Sequence, residues 1–171
     1  MIGEPSGTGT VGVADLVGFT RLSRQLEDAD LAALVERFES VSADVLAATG
    51  ATLVKTVGDE ILYVADEAVV AAEAAVRLHG AHAEDPDVPE MRIGLASGPI
   101  LRRMGDVFGA TVNLASRLTA LARPGTTLVD AVTAREVAAR SEFSLRQVAP
   151  RRVRGVGIVR SFSLAPDEPS R

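Results

Sequence analysis

Apolar segments of two kinds alternate along the first part of the chain, and their order restricts the folds open to it. Four short segments have the composition or the two-residue alternation of β-strands: 11–17, 53–57, 61–64 and 91–95. Apolar residues at helical spacing from Leu31 to Val45 predict a helix that ends at Gly50. Asp66 is expected to cap a second helix, rich in Ala and Val, that reaches about Leu78. The order strand–helix–strand–strand–helix–strand predicts an α+β fold with a ferredoxin-like, split βαβ core.

The rest of the sequence predicts further elements added to that core. A helix begins near Thr111 and ends before Pro124, and a helix capped by Asp130 reaches Arg140. The remaining apolar stretches predict strands at 100–103, 126–129, 143–148 and 158–164. Residues 1–8 and 165–171 are rich in Gly, Pro, Ser and acidic residues, so we expect two flexible tails around one domain at 9–164.

Composition excludes several classes of protein. No apolar run approaches the ~20 residues of a membrane-spanning helix, so we expect no membrane insertion. The chain has no cysteine, which excludes disulfides and thiol chemistry and fits a cytoplasmic protein. The net charge of −5 argues against nucleic acid as the main partner. Of the 18 basic residues only Lys55 is a lysine, so either its retention is chance or its ammonium does something that a guanidinium cannot.

Two acidic residues interrupt the predicted strands. Asp15 lies in an apolar strand and is followed by Gly18-Phe19-Thr20, a glycine turn ahead of a helix start whose free N–H groups suit phosphate. Asp59 lies at the tip of the hairpin predicted between 53–57 and 61–64. Each acid has a structural alternative, as a helix cap or as an ordinary turn residue. If their strands are neighbours in one sheet, however, the two carboxylates form a natural seat for two Mg²⁺ or Mn²⁺ ions.

A third group of polar residues lies on the helix predicted to begin near Thr111. Asn113 and Arg117 are four positions apart and therefore share one helix face. An amide and a guanidinium that project together suit a ribose and a phosphate, although a solvated helix surface could carry the same pair. Asp106 precedes this helix in the segment Gly105-Asp106-Val107.

Together these three motifs resemble the class III nucleotide cyclases, the family of adenylyl and guanylyl cyclase catalytic domains. The resemblance runs over about 11–164, and the two strand-end acids stand 44 positions apart as is typical of that family. Asn113 follows Asp106 by 7 positions and Arg117 follows Asn113 by 4, which is also typical. The stretch 98–106 is short, which resembles a compact bacterial subgroup and leaves the geometry of a dimer less defined.

The resemblance implies a metal and phosphate site. Asp15 and Asp59 would supply the metal-binding carboxylates for two divalent cations, Mg²⁺ or Mn²⁺. The backbone of Gly18-Phe19-Thr20 would hold phosphates. Arg154, in the late segment Val153-Arg154-Gly155, would contact the terminal phosphates.

The resemblance also implies how a nucleotide is recognised and turned over. Lys55 and Asp106 would read the purine, Asn113 would position the ribose, and Arg117 would stabilise the transition state. Adenine offers a donor at N6 and an acceptor at N1, which match a carboxylate and an ammonium, whereas guanine reverses both. The expected activity is therefore an adenylyl cyclase that converts ATP to cyclic AMP and pyrophosphate, in a homodimer with two shared active sites.

Other functions stay open at this point. A guanylyl cyclase would carry other residue types at 55 and 106, and a non-catalytic nucleotide-binding domain of the same fold would have lost a metal acid or the arginine. A polymerase-like two-metal enzyme would not need the pair on the helix at Asn113. His79 and His82 are spaced for a metal site at i, i+3, but two histidines at a polar helix end are more often solvated.

Overall fold

The computed structural model describes residues 7–168, which form one curved sheet with helices on both faces. The strands within these residues are β1 (Gly7–Leu16), β2 (Thr52–Val57), β3 (Glu60–Ala65), β4 (Met91–Arg103), β5 (Asp106–Phe108), β6 (Thr127–Asp130), β7 (Phe143–Val153) and β8 (Gly157–Pro166). The helices are α1 (Phe19–Gln25), α2 (Asp28–Thr49), α3 (Ala68–Ala83), α4 (Ala110–Leu121) and α5 (Ala131–Val137). Residues 1–6 and 169–171 of the two predicted tails lie outside the described residues, and the inner tail residues include the outer ends of β1 and β8.

The first six principal elements confirm the ferredoxin-like core. The sheet order is β2-β3-β1-β4-β6-β8-β7, so the split βαβ arrangement places β1 between β3 and β4. Each of these neighbouring pairs is antiparallel except β4 with β6, and the short β5 pairs with the far end of β4. The additional strands β6, β8 and β7 extend the sheet on the β4 side. The central position of β1 places its last residues between two other strands.

Two apolar cores form on the two faces of the sheet. The larger core packs α2, α3 and α5 against one face, and its fully buried members include Phe38, Leu46, Tyr63 and Leu78. The smaller core packs α4 against the other face over β1, β4 and β6. Because α4 is the main helix on that face, strands on either side of it remain open to bind other molecules. We call this face the α4 face.

A close contact between backbones fixes α4 on the sheet. A Cβ atom at Gly94 would collide with the Ala115 carbonyl oxygen and the Thr119 amide of α4, so only glycine allows β4 and α4 to approach this closely. The Thr119 hydroxyl also donates a hydrogen bond to the Val13 carbonyl oxygen on β1, at 2.9 Å. These contacts set the position of every side chain on α4 relative to the end of β1.

Two helix starts differ in how they are capped. The Asp130 carboxylate accepts a hydrogen bond from the Thr133 amide at 3.0 Å, which confirms the predicted cap of α5. The predicted cap at Asp66 is wrong, because α3 begins one residue later, after Glu67, and no side chain caps it. Asp66 instead lies 3.8 Å from the guanidinium of Arg102. No helix in residues 7–168 is both long and apolar enough to cross a membrane.

The two histidines of α3 are packed into the protein. The sequence had led us to expect solvated side chains, and that expectation is wrong. His82 Nε2 lies 2.8 Å from the Ser42 hydroxyl on α2, and its ring packs against Phe38 with centroids 4.9 Å apart. His79 Nε2 lies 3.0 Å from the Thr127 hydroxyl on β6. Burial lowers the pKa of both imidazoles. No group of three or more His, Cys, Asp or Glu side chains within residues 7–168 is arranged to hold a metal ion.

Candidate active site

The two predicted metal acids lie at the same end of neighbouring strands. Asp15 is the penultimate residue of β1 and is paired across the sheet with Glu60, the first residue of β3. Asp59 precedes Glu60 in the tight turn after β2, where Gly58 has a φ of 61°. Burial and, to a smaller extent, the negative charge of Asp15 raise the pKa of the Asp59 carboxyl. The strand pairing therefore brings the two carboxylates together, as the sequence analysis anticipated.

Arg92 is bound to the first of these acids. Its Nε lies 2.7 Å from Asp15 Oδ1 and its Nη2 lies 3.3 Å from Asp15 Oδ2, a two-point ion pair between facing residues of β1 and β4. Its third nitrogen, Nη1, donates to the Ala120 carbonyl oxygen on α4 at 3.2 Å. One guanidinium thus connects the β1 carboxylate to the helix that carries Asn113 and Arg117. The Asp15 contact raises the pKa of Arg92, so the positive charge is permanent.

Glu60 adds a third carboxyl group to this end of the sheet. It shares the α4 face with Asp15, because the two residues are direct cross-strand partners. Burial raises the pKa of the Glu60 carboxyl, and the charges of Asp15 and Asp59 raise it further. Sequence reasoning missed both Glu60 and Arg92. The alternation of side chains along β3 and β4 could have indicated these two residues. It shows that they share the face of Asp15 only once the strand register is known.

The donor set at this site fits a divalent cation. Magnesium is typically held by one or two protein carboxylates together with water and substrate phosphates, and manganese accepts the same oxygen ligands. Asp15 and Asp59 provide two carboxylates, and burial, with a smaller effect of the Asp15 charge, raises the pKa of the Asp59 carboxyl. Asp15, with a side chain 20% exposed, remains accessible from solvent.

Lys55 and Asp106 form a second pair of candidate residues. Lys55 Nζ donates a hydrogen bond to Asp106 Oδ2 at 2.9 Å, between β2 and β5. The ammonium lowers the pKa of the Asp106 carboxyl, and the adjacent Val107 amide, 2.8 Å from Oδ1, lowers it further. The side chains are 47% and 30% exposed. The two residues predicted to read a purine are therefore neighbours, with one donor and one acceptor open to solvent.

Asn113 and Arg117 line a cavity of about 380 Å³ beside α4, which we call the α4 cavity. Arg154, in the turn between β7 and β8, lines the same cavity. The contact of α4 with Gly94 and Val13 holds this cavity at a fixed position relative to β1. An amide and two guanidinium groups around one cavity suit an oxyanion such as a phosphate. Three residues that the sequence placed in separate roles are brought together here.

Gly18 connects β1 to α1 in a conformation that favours glycine. Its φ is 74° and ψ is 17°, in the left-handed region, and no side chain caps the helix that begins at Phe19. The first N–H groups of α1 therefore have no side-chain acceptor at the cap position. The segment 18–20 begins three residues after Asp15, which keeps these amides near the acid pair.

The candidate residues fall into two separate groups on the chain. The cavity lined by Asn113, Arg117 and Arg154 includes neither Asp15 nor Asp59. The charges that act on Asp59 belong to Asp15 and Arg92, and no charge of the α4 cavity is among them. Arg92 links the two groups, because its guanidinium binds both Asp15 and the carbonyl oxygen of Ala120, which lines the α4 cavity.

Sequence comparison finds a matching family model and several similar curated proteins. Residues 3–166 match the family model of the adenylate and guanylate cyclase catalytic domain. The chain is 57% identical over 127 residues to the adenylate cyclase of Streptomyces coelicolor, covering 74% of this chain and 33% of that protein. It is 43% identical over 158 residues to the adenylate cyclase of Glutamicibacter nicotianae, covering 92% of this chain and 39% of that protein. The chain thus spans about a third of the length of these curated relatives.

The fold is shared with solved structures. The crystal structure of the adenylyl cyclase CyaB from P. aeruginosa superposes with a TM-score of 0.85 and 22% identity, covering 96% of each chain. At this identity the similarity concerns the fold alone.

Proposed function

Because the chain belongs to the family of adenylate and guanylate cyclase catalytic domains, we propose that it converts ATP to 3′,5′-cyclic AMP and pyrophosphate. The similar full-length proteins named adenylate cyclase support an adenine nucleotide as the substrate. The observation that carries the proposal is the Lys55–Asp106 pair, one donor and one acceptor 2.9 Å apart with the polarity that adenine requires. That the protein is cytoplasmic stays a prediction.

The reaction is an internal phosphoryl transfer. The 3′ hydroxyl of the ribose gives up its proton to solvent, and its oxygen attacks the α-phosphorus to form the new O–P bond. The bond between the α-phosphorus and the oxygen that bridges to the β-phosphate breaks, and pyrophosphate leaves. Asn113 orients the ribose so that the attack is in line with the leaving group. Arg117 faces the negative charge that develops during transfer, so it contributes more to turnover than to ground-state binding. Arg154 lines the same cavity and contacts the terminal phosphates.

Asp15 and Asp59 hold two divalent cations, Mg²⁺ or Mn²⁺, in this proposal. When bound, such ions acidify the 3′ hydroxyl and neutralise the charge of the leaving pyrophosphate. Arg92 keeps the Asp15 carboxylate oriented from β4, and the amides of Gly18, Phe19 and Thr20 hold phosphate oxygens near the acid pair.

The site is completed by a second copy of the chain. One protomer supplies Asp15 and Asp59, and its partner supplies the α4 cavity together with the base-reading pair. This arrangement follows from the resemblance to the cyclase family, in which the two groups of residues come from different protomers. Two-fold symmetry then gives two identical sites in a homodimer.

The direct test is to incubate the protein with Mn²⁺ and either ATP or GTP and to quantify both cyclic nucleotides. We expect cyclic AMP, with a catalytic efficiency for ATP at least about tenfold above that for GTP, because guanine meets each partner with the wrong polarity. The double variant Lys55→Gln, Asp106→Asn should bring the two efficiencies closer together, since each amide can both donate and accept. Arg102→Gln is the matched control, because it removes a similarly exposed cation from β4, outside the base-reading pair.

Each negative result has a distinct meaning. Equal use of GTP by the unmodified protein contradicts the role of Lys55 and Asp106 as base readers. Tight binding of ATP without any cyclic product, under saturating Mn²⁺ and at protein concentrations that favour dimers, contradicts the cyclase activity and supports a nucleotide-binding regulatory domain.

A further inference from the structure

A second cavity lies on the α4 face, beyond the C-terminal end of α4. It has a volume of about 340 Å³ and is bounded by α4, β6, β8 and β7. Leu128 and Ser161 form a buried part of its wall, and Arg123, Arg146 and Arg151 surround it. None of the residues that line this cavity belongs to the candidate active site. We call it the arginine cavity.

A β-bulge brings two of these arginines to the same face. Arg146 pairs with Ser163 and Arg151 pairs with Val159, while the register shifts between Val148 and Arg151. In a regular strand, residues five positions apart point to opposite faces. The extra residue of the bulge reverses the alternation, so Arg146 and Arg151 lie on the same face, and both line the arginine cavity. Bulges of this kind often re-aim side chains next to functional sites.

The third arginine is held in place by a turn. Arg123 lies between α4 and β6, where its carbonyl oxygen accepts hydrogen bonds from the Thr126 hydroxyl at 2.7 Å and from the Thr126 amide at 3.1 Å. The Gly125 amide, 2.8 Å from the Met91 carbonyl oxygen, fixes this turn to the start of β4. The guanidinium of Arg123 is therefore carried by an ordered backbone on the opposite side of the cavity from β7.

The arginine cavity lacks compensating negative charge. Within residues 7–168, none of its three arginines forms an ion pair. The segment 143–166 contains five arginines and no acidic residue, although the whole chain has a net charge of −5. Three permanent cations around one cavity repel each other, and an anion bound between them removes that repulsion.

We propose that the arginine cavity is a binding site for a small polyphosphate of the pyrophosphate type. The planar guanidinium groups match phosphate oxygens, and three charges suit a diphosphate better than a single carboxylate. The volume lies in the lower range of small-molecule sites, which favours a compact ligand. The diphosphate can be free pyrophosphate or part of a nucleotide, and both sources have the same chemistry. This binding is independent of cyclisation, because it uses none of the residues proposed for that reaction.

The test is calorimetric titration of the full chain with sodium pyrophosphate in the presence of EDTA, which prevents metal-dependent binding at the acid pair. We expect binding that weakens as salt is raised. The double variant Arg146→Gln, Arg151→Gln should weaken it by about tenfold or more for each guanidinium removed. Arg135→Gln, Arg160→Gln is the matched control, because it removes the same charge from exposed positions outside the cavity and should change affinity less than about twofold.

Competition identifies the source of the diphosphate. Displacement of pyrophosphate by ATP but not by adenosine supports a nucleotide diphosphate group as a ligand, and failure of ATP to compete supports free pyrophosphate. Loss of binding in Arg117→Gln, Arg154→Gln, with no effect of the Arg146 and Arg151 changes, would assign the anion to the α4 cavity and overturn the proposal.

Two other results would also overturn it. One is the absence of any pyrophosphate binding by the unmodified chain at low salt. The other is a shift in sedimentation of the Arg146→Gln, Arg151→Gln variant without a change in pyrophosphate affinity, which would assign these arginines to a contact between copies of the chain. Circular dichroism melting of both double variants checks that exposed Arg-to-Gln changes leave the fold intact.

Discussion

Arg92 shows how one side chain can organise the residues around a candidate metal ligand. Its guanidinium binds both oxygens of Asp15 and one carbonyl oxygen of α4, so it fixes the direction of a proposed metal ligand. It also places one positive charge near Asp15 and Asp59, and the pKa values of Asp59 and Glu60 are raised by burial and, to a smaller extent, by the neighbouring carboxylates. A residue that no motif singled out therefore controls geometry and charge at the acid pair.

We expect Arg92→Ala to lower turnover with ATP by roughly 10- to 100-fold, because a small displacement of a reacting group has effects of this size. The apparent affinity for Mn²⁺ should not fall, since the cluster becomes more negative. Turnover at saturating Mn²⁺ and direct Mn²⁺ binding, followed by the electron paramagnetic resonance signal of the free ion, measure the two effects separately.

Arg92→Lys is the informative control for this prediction. It keeps the charge but lacks the planar fork, so its turnover should lie between those of the alanine variant and the unmodified protein. Turnover of the alanine variant equal to that of the unmodified protein would show that Asp15 needs no support from β4.

Candidate site residues were easier to identify from the sequence than the groups that they form in the structure. The sequence put Asp15 and Asp59 together only on the condition that their strands are neighbours, and the pairing of β1 with β3 meets that condition. The grouping of Arg154 with Asn113 and Arg117 required the sheet order, which depends on contacts between segments distant in sequence. Arg92 and Glu60 were missed because only the register of β1 with its two neighbours shows that they face Asp15.

At the scale of elements, α4 packs closely on β4 because Gly94 has no side chain. A Cβ at Gly94 would meet backbone atoms of α4, and backbone cannot rotate away as a side chain can. The sequence analysis predicted the strand and the helix correctly but could not predict how closely they approach. It also missed β5 as a separate short strand, because three residues are too few to show a period.

We expect Gly94→Ala to destabilise the protein by about 1–3 kcal/mol, the usual cost of overpacking a tight contact. Activity should fall more than the loss of folded protein explains, because α4 carries Asn113 and Arg117. Thermal melting and turnover below the melting range test this. Gly80→Ala is the control: a Cβ there has nothing within 4 Å, and alanine inside α3 should be neutral or stabilising.

The contacts of α3 with α2 and β6 make stability depend on pH. Burial lowers the pKa of His79 and His82 below the value of 6.5 that an unfolded chain would have, so the unfolded state binds protons first as pH falls. Their contribution to stability is therefore present above about pH 6.5 and is lost progressively below it. The negative charge of Asp85 opposes this effect at His82.

We expect the melting temperature to fall between pH 7.5 and pH 5.5, and the fall to be smaller in His79→Gln and in His82→Gln. Glutamine keeps a hydrogen-bonding group but does not titrate, so the slope of melting temperature against pH is the relevant measurement, and not its absolute value. An unchanged slope in both variants would assign the pH dependence to other groups.

At the scale of the whole molecule, the proposed homodimer predicts that activity depends on a second copy of the chain. Asp15→Ala and Arg117→Ala should each be inactive alone and should regain activity when mixed under conditions of subunit exchange. In a mixed dimer one site collects both changes and the other has neither. Random pairing of equal amounts should restore about a quarter of the unmodified activity under two-fold symmetry.

The same mixture kept from exchanging its subunits should stay inactive. If exchange is verified with labelled chains and no activity returns, each chain must build its own site, and the shared arrangement is wrong.

The exposed Lys55–Asp106 pair has a consequence for how nucleotide preference can change over evolutionary time. Ion pairs on a protein surface typically contribute no more than about 1 kcal/mol to stability, so replacing either partner leaves a folded protein. Variants that have lost one half of the pair can therefore persist in a population without being removed by degradation. On the proposed role, a lineage could move from one purine to another through single substitutions, each tested by selection on an intact scaffold.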